Sequence, residues 1–148
     1  MDEITSAILT FMDQMKVRDS KQYADAVLNR LESFGYKVKK DNAWLIAFSI
    51  QKVSQHIMNS CNTSSVPDGL FFIAVDRACG EFLGELNSAG LLELDGLDLD
   101  GAISQIREGD ATVQFTSGLS DDEKFIELVN YLKTEGAGDE VCYRKLKW

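Results

Sequence analysis

Bond-making chemistry in a small protein needs a nucleophile, a base or a cluster of metal ligands, and the candidates here are few. His56 is the only histidine, so neither a His–His metal pair nor a triad with a second imidazole can be built. It falls on the polar side of a predicted helix, where a surface or boundary histidine is the ordinary outcome. Cys61, Cys79 and Cys142 are widely separated thiols with no CxxC pair. An odd, scattered set suits a reducing compartment, excludes a disulfide framework and reads as small hydrophobes rather than nucleophiles. The run Asp95-Gly96-Leu97-Asp98-Leu99-Asp100-Gly101 has the composition of a calcium loop. Aligning Gly101 with the glycine of an EF-hand loop puts Gly96 at the first ligand position and Arg107 at the last, so both essential ligands are missing. A solvated acidic loop is the better reading. No Gly-rich phosphate loop, nucleophile elbow or paired-carboxylate pocket can be argued. These residues predict a non-enzymatic protein with no cofactor and no metal site.

Charge is distributed unevenly. Residues 1–80 carry nine acids and nine bases, whereas residues 81–143 carry fifteen acids against three bases. The final stretch, Arg144-Lys145-Leu146-Lys147-Trp148, is cationic and aromatic. A net charge of −9 argues against generic nucleic-acid binding, which needs cations to displace counterions from phosphate. Polarity of this kind favours a definite docking partner, another copy of the chain included. Met1-Asp2-Glu3 is acidic where a signal peptide is basic, and no apolar run approaches the roughly 18 residues of a membrane span. Secretion and membrane insertion are not expected.

The elements that must position these groups are mostly helical. A chain of 148 residues has the size of one domain. Ile4, Ala7, Ile8, Phe11, Met12 and Met15 recur at spacings of three and four, predicting a helix over about 3–16. Arg18-Asp19-Ser20 supplies a cap for a second helix, with Tyr23, Val27, Leu28, Leu31 and Phe34 inward and Gly35 at its left-handed end. Residues 1–40 thus form a helical hairpin. Asp41 is expected to cap a third helix to about Ser60. Trp44, Leu45, Phe48, Ile50, Val53, Ile57 and Met58 spread round that helix, predicting cover on two sides and a central position. Pro67 suits the first position of a fourth helix to about residue 88. Gly80 and Gly84 each cost that helix about 1 kcal/mol relative to alanine. They imply close approach of another backbone, within the subunit or across a subunit contact. Residues 89–102 read as loop with one turn of helix at most. Ile103–Ile106 and Thr112–Phe115, separated by a turn at Gly109-Asp110, read as a β-hairpin. Ser120-Asp121-Asp122-Glu123 is a capping box opening a last helix to about Gly136. Residues 137–148 form an irregular arm. The expected fold is mainly α: one domain, a compact bundle of about five helices with one small β-hairpin about 103–115 and a C-terminal arm, residues 41–136 being the helical core.

Three stretches carry a resemblance. The first comprises Ile57-Met58-Asn59-Ser60-Cys61-Asn62, Val66-Pro67-Asp68-Gly69-Leu70 and Ala74-Val75-Asp76-Arg77. The second runs from Ile103 to Phe115 through Gly109-Asp110-Ala111-Thr112. The third is Tyr143-Arg144-Lys145-Leu146-Lys147-Trp148. In this order, from Asp41 onward, the chain resembles the head–tail connector (adaptor) proteins of long-tailed bacteriophages and prophages. It departs from their glycine-aspartate-threonine pattern in having Ala111 before the threonine, and residues 1–40 lie outside the matched part. The resemblance implies a structural protein of the virion neck, made in the host bacterial cytoplasm. Such proteins form a ring, usually of twelve subunits, that bridges the portal protein to the head-closure or tail protein. DNA passes through without specific binding, and no cofactor or membrane is involved.

In that role the contacts would come from Tyr143, Arg144, Lys145, Leu146, Lys147 and Trp148, where a tryptophan and three cations suit a portal or adjacent-subunit surface. Gly109-Asp110 would turn the hairpin toward a neighbour, and Gly80 and Gly84 mark a close helix contact. The acidic segment 81–143 would line part of the DNA channel, its carboxylates repelling phosphate. The rival reading is a small intracellular protein-interaction or regulatory module with no virion role.

Overall fold

The computed structural model describes residues 2–109, 118–136, 138–139 and 143. The described residues form six α-helices joined by 3-10 turns and loops, and none of them is in a strand. They are α1 (Glu3–Gln14), α2 (Ser20–Ser33), α3 (Ala43–Cys61), α4 (Phe71–Ser88), α5 (Leu99–Gly109) and α6 (Asp121–Thr134). The mainly helical expectation holds.

Local chemistry sets the helix ends. The Asp2 carboxylate accepts from the Thr5 N–H at 2.6 Å and opens α1. That hydrogen bond holds the Asp2 carboxyl below its usual range. Asp19 precedes α2 in the left-handed conformation at φ 54° and its side chain makes no capping bond, so the cap expected at Arg18-Asp19-Ser20 is not formed. Gly35 closes α2 as expected, at φ +87°. The Tyr36 N–H donates back to Leu31 O at 3.0 Å and the Gly35 N–H to Glu32 O at 2.9 Å. A side chain at position 35 would also strike the Asp98 backbone nitrogen, 2.8 Å from where its Cβ would stand. Glycine is therefore required twice over.

The α3 start differs from expectation. A 3-10 turn over Lys40–Asn42 leads into the helix, and Asn42 rather than Asp41 is the residue at the junction. Its side-chain oxygen accepts from the Lys39 N–H at 2.8 Å and the Tyr36 hydroxyl at 3.0 Å. Pro67 likewise stands ahead of a 3-10 turn, Asp68–Leu70, instead of at the first position of α4. Ser120 caps α6 as predicted, its hydroxyl oxygen accepting from the Glu123 N–H at 3.3 Å.

No strand of the expected β-hairpin is found among the described residues. Ile103–Ile106, expected as its first strand, is the middle of α5. Leu99, Ala102, Ile103 and Ile106 are all buried. Their spacing of three, four and seven is one face of a helix, and two isoleucines three apart cannot alternate as a strand requires. Gly109 is the last residue of that helix; Asp110 and Thr112–Phe115 lie outside the described residues. Nor is the acidic run an open loop. The Asp98 carboxylate accepts from the Gly101 N–H at 3.0 Å at the start of α5, and the Asp98 N–H donates to Phe34 O at 2.9 Å.

The centre of the bundle is α4, which packs against α2, α3 and α6; α1 covers α3, and α5 lies on α6. Phe82, Leu83, Ala78 and Cys79 of α4 are almost wholly buried, with Leu31, Ile50, Ile57, Leu128 and Leu132 around them. The helix expected at the centre, α3, has its two covered sides in α1 and α4. Trp44 and Phe48, counted inward from sequence, stand on its remaining face, half and two-fifths exposed.

Candidate assembly surface

Cys61 and Cys79 are buried thiols. Burial pushes the Cys79 thiol far above the ordinary range, so it stays protonated and inert. Among the described residues no group of three His, Cys, Asp or Glu side chains could hold a metal ion. None of their helices is long and apolar enough to cross a membrane.

His56 is exposed and stands at a cleft of about 420 Å³ between α3, α4 and α6. Glu81 of α4 occupies its middle, with the Lys52 ammonium of α3 at 3.2 Å and the Lys133 ammonium of α6 at 3.9 Å. Buried Arg77 closes the floor, its Nε–H donating to Glu135 O at 2.9 Å. Cations and carboxylate satisfy each other. The arrangement is a strut across three helices.

A second polar network ties α2, α4 and α5. Arg30 pairs with Asp76 at 2.9 Å, donates to Gln105 at 3.3 Å and lies over the Phe34 ring at 4.8 Å. Gln105 in turn donates to Ser33 O at 2.9 Å. Asp76 and Arg77, quoted from sequence as a motif, therefore each hold the bundle together. No local signal in sequence marks the Arg30 pairings, which join residues 46 and 75 positions apart.

Several large apolar side chains stand exposed among the described residues. Trp44 stacks on Phe48 with ring centroids 5.1 Å apart and planes 13° from parallel. Ile126 of α6 is 54% exposed and Leu91, past the end of α4, is 73% exposed. The spacing of Trp44 and Phe48, off the Ile46–Ile50–Val53–Ile57 stripe, is the signal that could have placed them outside. Phe72, on the opposite side near the start of α4, is 76% exposed.

The two glycines of α4 separate into different cases. At Gly80 a Cβ would meet the Leu132 Cβ and Lys133 Cγ at 2.9 Å and the Lys133 nitrogen at 3.1 Å. The close approach is to α6 within the subunit. At Gly84 a Cβ would meet only Val129 Cγ1, at an ordinary 3.5 Å. Intrachain packing does not require a glycine there. Between Gly84 and the flanks Glu85, Phe125 and Ile126 runs a groove of about 230 Å³.

Tyr143 is the one described residue of the C-terminal hexapeptide. Its hydroxyl lies over Gly69, in the space a side chain there would fill. The first and third stretches that carry the resemblance thus meet at the α3–α4 connection. Arg144, Lys145, Leu146, Lys147 and Trp148 lie outside the described residues. No protein-family model, curated protein or solved structure matches this chain.

Proposed function

We propose that the protein is a structural part of a phage or prophage neck, assembling as a ring that bridges the portal to the head-closure or tail proteins while DNA passes through. The observation that carries this reading is the seating of Tyr143 on Gly69. It brings two of the connector-like stretches, 74 residues apart in sequence, into direct contact. Two further features support it. The bundle exposes the stacked rings of Trp44 and Phe48 and the side chain of Ile126, which suits protein contacts. Glu85, Glu93, Asp95, Asp121, Asp122 and Glu123 remain exposed carboxylates, which suits a surface past which phosphate must slide.

The test is made in the genome that encodes the chain. Deleting residues 143–148 leaves the helical core intact and is expected to yield DNA-filled heads and free tails that do not join. Infectious particles at the normal yield from that deletion, with the protein missing from purified virions, end the proposal and favour an interaction module with no virion role.

A further inference from the structure

We propose that the pocket formed by the α1–α2 turn, α3 and the α3–α4 connection is a binding site for a small phosphate ester. The pocket measures about 300 Å³, the low end of the roughly 300–1,000 Å³ usual for small-molecule sites. Lys16–Asp19 supply one part of its wall, Thr63–Val66 another, and Gln51, Ser54 and Gln55 of α3 a third. Three observations lead to the assignment.

The first is a backbone comparison. Helices α1 to α4 all end in the same double turn. A residue in the left-handed conformation donates its N–H to the carbonyl three residues back, and the next residue donates to the carbonyl five back. After α2 and α4 the left-handed residue is glycine, Gly35 at φ +87° and Gly90 at φ +73°. After α1 and α3 it is Lys16 at φ 59° and Asn62 at φ 54°. Asparagine is an accepted substitute for glycine at this place, whereas a lysine bears the steric cost of its Cβ. The two glycine closures are no part of the pocket, but Lys16 lines it and Asn62 adjoins its Thr63 wall. The chain keeps a lysine side chain where its backbone would be better served by none.

The second is charge. Lys16 and Arg18 are exposed and, among the described residues, in no ion pair. The described lining sets a single acid, Asp19, against them. A cationic rim on a chain of net charge −9 calls for an anion. The chain's own final stretch, Arg144-Lys145-Leu146-Lys147-Trp148, is itself cationic and has the wrong sign for that rim.

The third is hydrogen bonding. Tyr23 and Ser54, each 5% exposed, are the most buried residues of the lining. Burial pushes the Tyr23 hydroxyl up to about 12, only partly offset by the neighbouring Ser54, so the phenol stays a donor. Ser54 Oγ for its part completes no hydrogen bond, and a buried hydroxyl without a partner needs an explanation. Counting the Arg18 guanidinium, the Lys16 ammonium and the Gln51 amide, the donors outnumber the two oxygens of a carboxylate. A phosphate ester offers three, and the arginine fork suits them. Val17, Met58 and Val66 supply apolar lining for the organic part of such an ester.

Amide chemical-shift titration of the full chain tests this, with inorganic phosphate, glycerol 3-phosphate and glycerol as probes at constant ionic strength. Both phosphates are expected to give saturable shifts confined to residues 16–19, 23, 51–58 and 63–66, and glycerol none. Arg18→Ala and Lys16→Gly are each expected to weaken phosphate binding by about tenfold, the worth of a charge-assisted hydrogen bond. Lys16→Gly should also raise the thermal midpoint in phosphate-free buffer, because glycine relieves the left-handed strain. Stability gained with affinity lost marks a lysine kept for a ligand; a lysine kept for the fold would lose stability and leave binding unchanged. Arg18→Ala changes an exposed side chain and decides the matter should the glycine variant fold poorly. The proposal falls if neither phosphate gives saturable shifts by about 50 mM, weaker than a built site allows. It falls equally if the shifts scatter over Lys52, Lys133 and other surface cations and survive both substitutions, the sign of an adventitious ion only.

Discussion

The seam between α4 and α6 is closed at one level and open at the next. At Gly80 the two helices come so near that α6 occupies the space of a β-carbon; one turn further on, at Gly84, they have drawn apart enough to admit one. Both positions are glycines in the same helix, and both carry the same cost in helix propensity. The lesson is that a helix-interior glycine has to be explained by what stands opposite it. At Gly80 the explanation is a backbone within the subunit. At Gly84 it is a vacancy that packing of this chain does not need.

The largest effect should fall at the closed level. Gly80→Leu drives a side chain into the Leu132 Cβ and the Lys133 backbone, neither of which can rotate away. Overpacking of that kind costs about 3 kcal/mol, and urea unfolding should show a midpoint lowered accordingly. Truncating Leu132 to alanine in the same chain should give no rescue, because the clash is with its Cβ, which alanine keeps. Recovery in the double variant would mean that the helices shift apart freely, and the distinction between the two levels would collapse. The open end of the seam is fixed instead by the α6 cap. Ser120→Ala removes the hydroxyl that accepts from the Glu123 N–H and should cost about 1 kcal/mol. Fraying of α6 should then appear first in amide exchange at residues 121–126, with the Gly80 level still protected.

How much of this was legible in sequence follows the range of the forces involved. Helix ends governed by neighbours were readable: Gly35, Gly136 and Ser120 behave as their types dictate, since a left-handed turn or a cap is settled within four residues. The helical hairpin 1–40 and the inward faces of α2 and α6 followed from periodicity alone. In sequence Ile103 and Ile106 can belong with a turn at Gly109-Asp110 or with Leu99 and Ala102 on the other side, and joint burial of the second set decides for the helix. Asp98 was likewise counted as loop charge, although an aspartate three residues before a glycine can cap. The spacing of Trp44 and Phe48, off the Ile46–Ile50–Val53–Ile57 stripe, marks them as candidates for exposure, and the cover of α3 by α1 and α4 decides it. Of the site, the glycine pair was visible and its two meanings were not. They depend on Leu132, Lys133 and Val129, some fifty residues away.

The smallest effect is the most discriminating. Gly84→Ala adds one methyl group at an ordinary van der Waals distance from Val129 Cγ1 and removes backbone freedom from the unfolded chain. Both changes favour the folded monomer, by about 0.5–1 kcal/mol together. Thermal unfolding of the dilute protein should therefore move upward, by a few degrees for a domain of this size. A midpoint that falls instead would mean that α6 stands as close at Gly84 as it does at Gly80, and the two levels of the seam would be one.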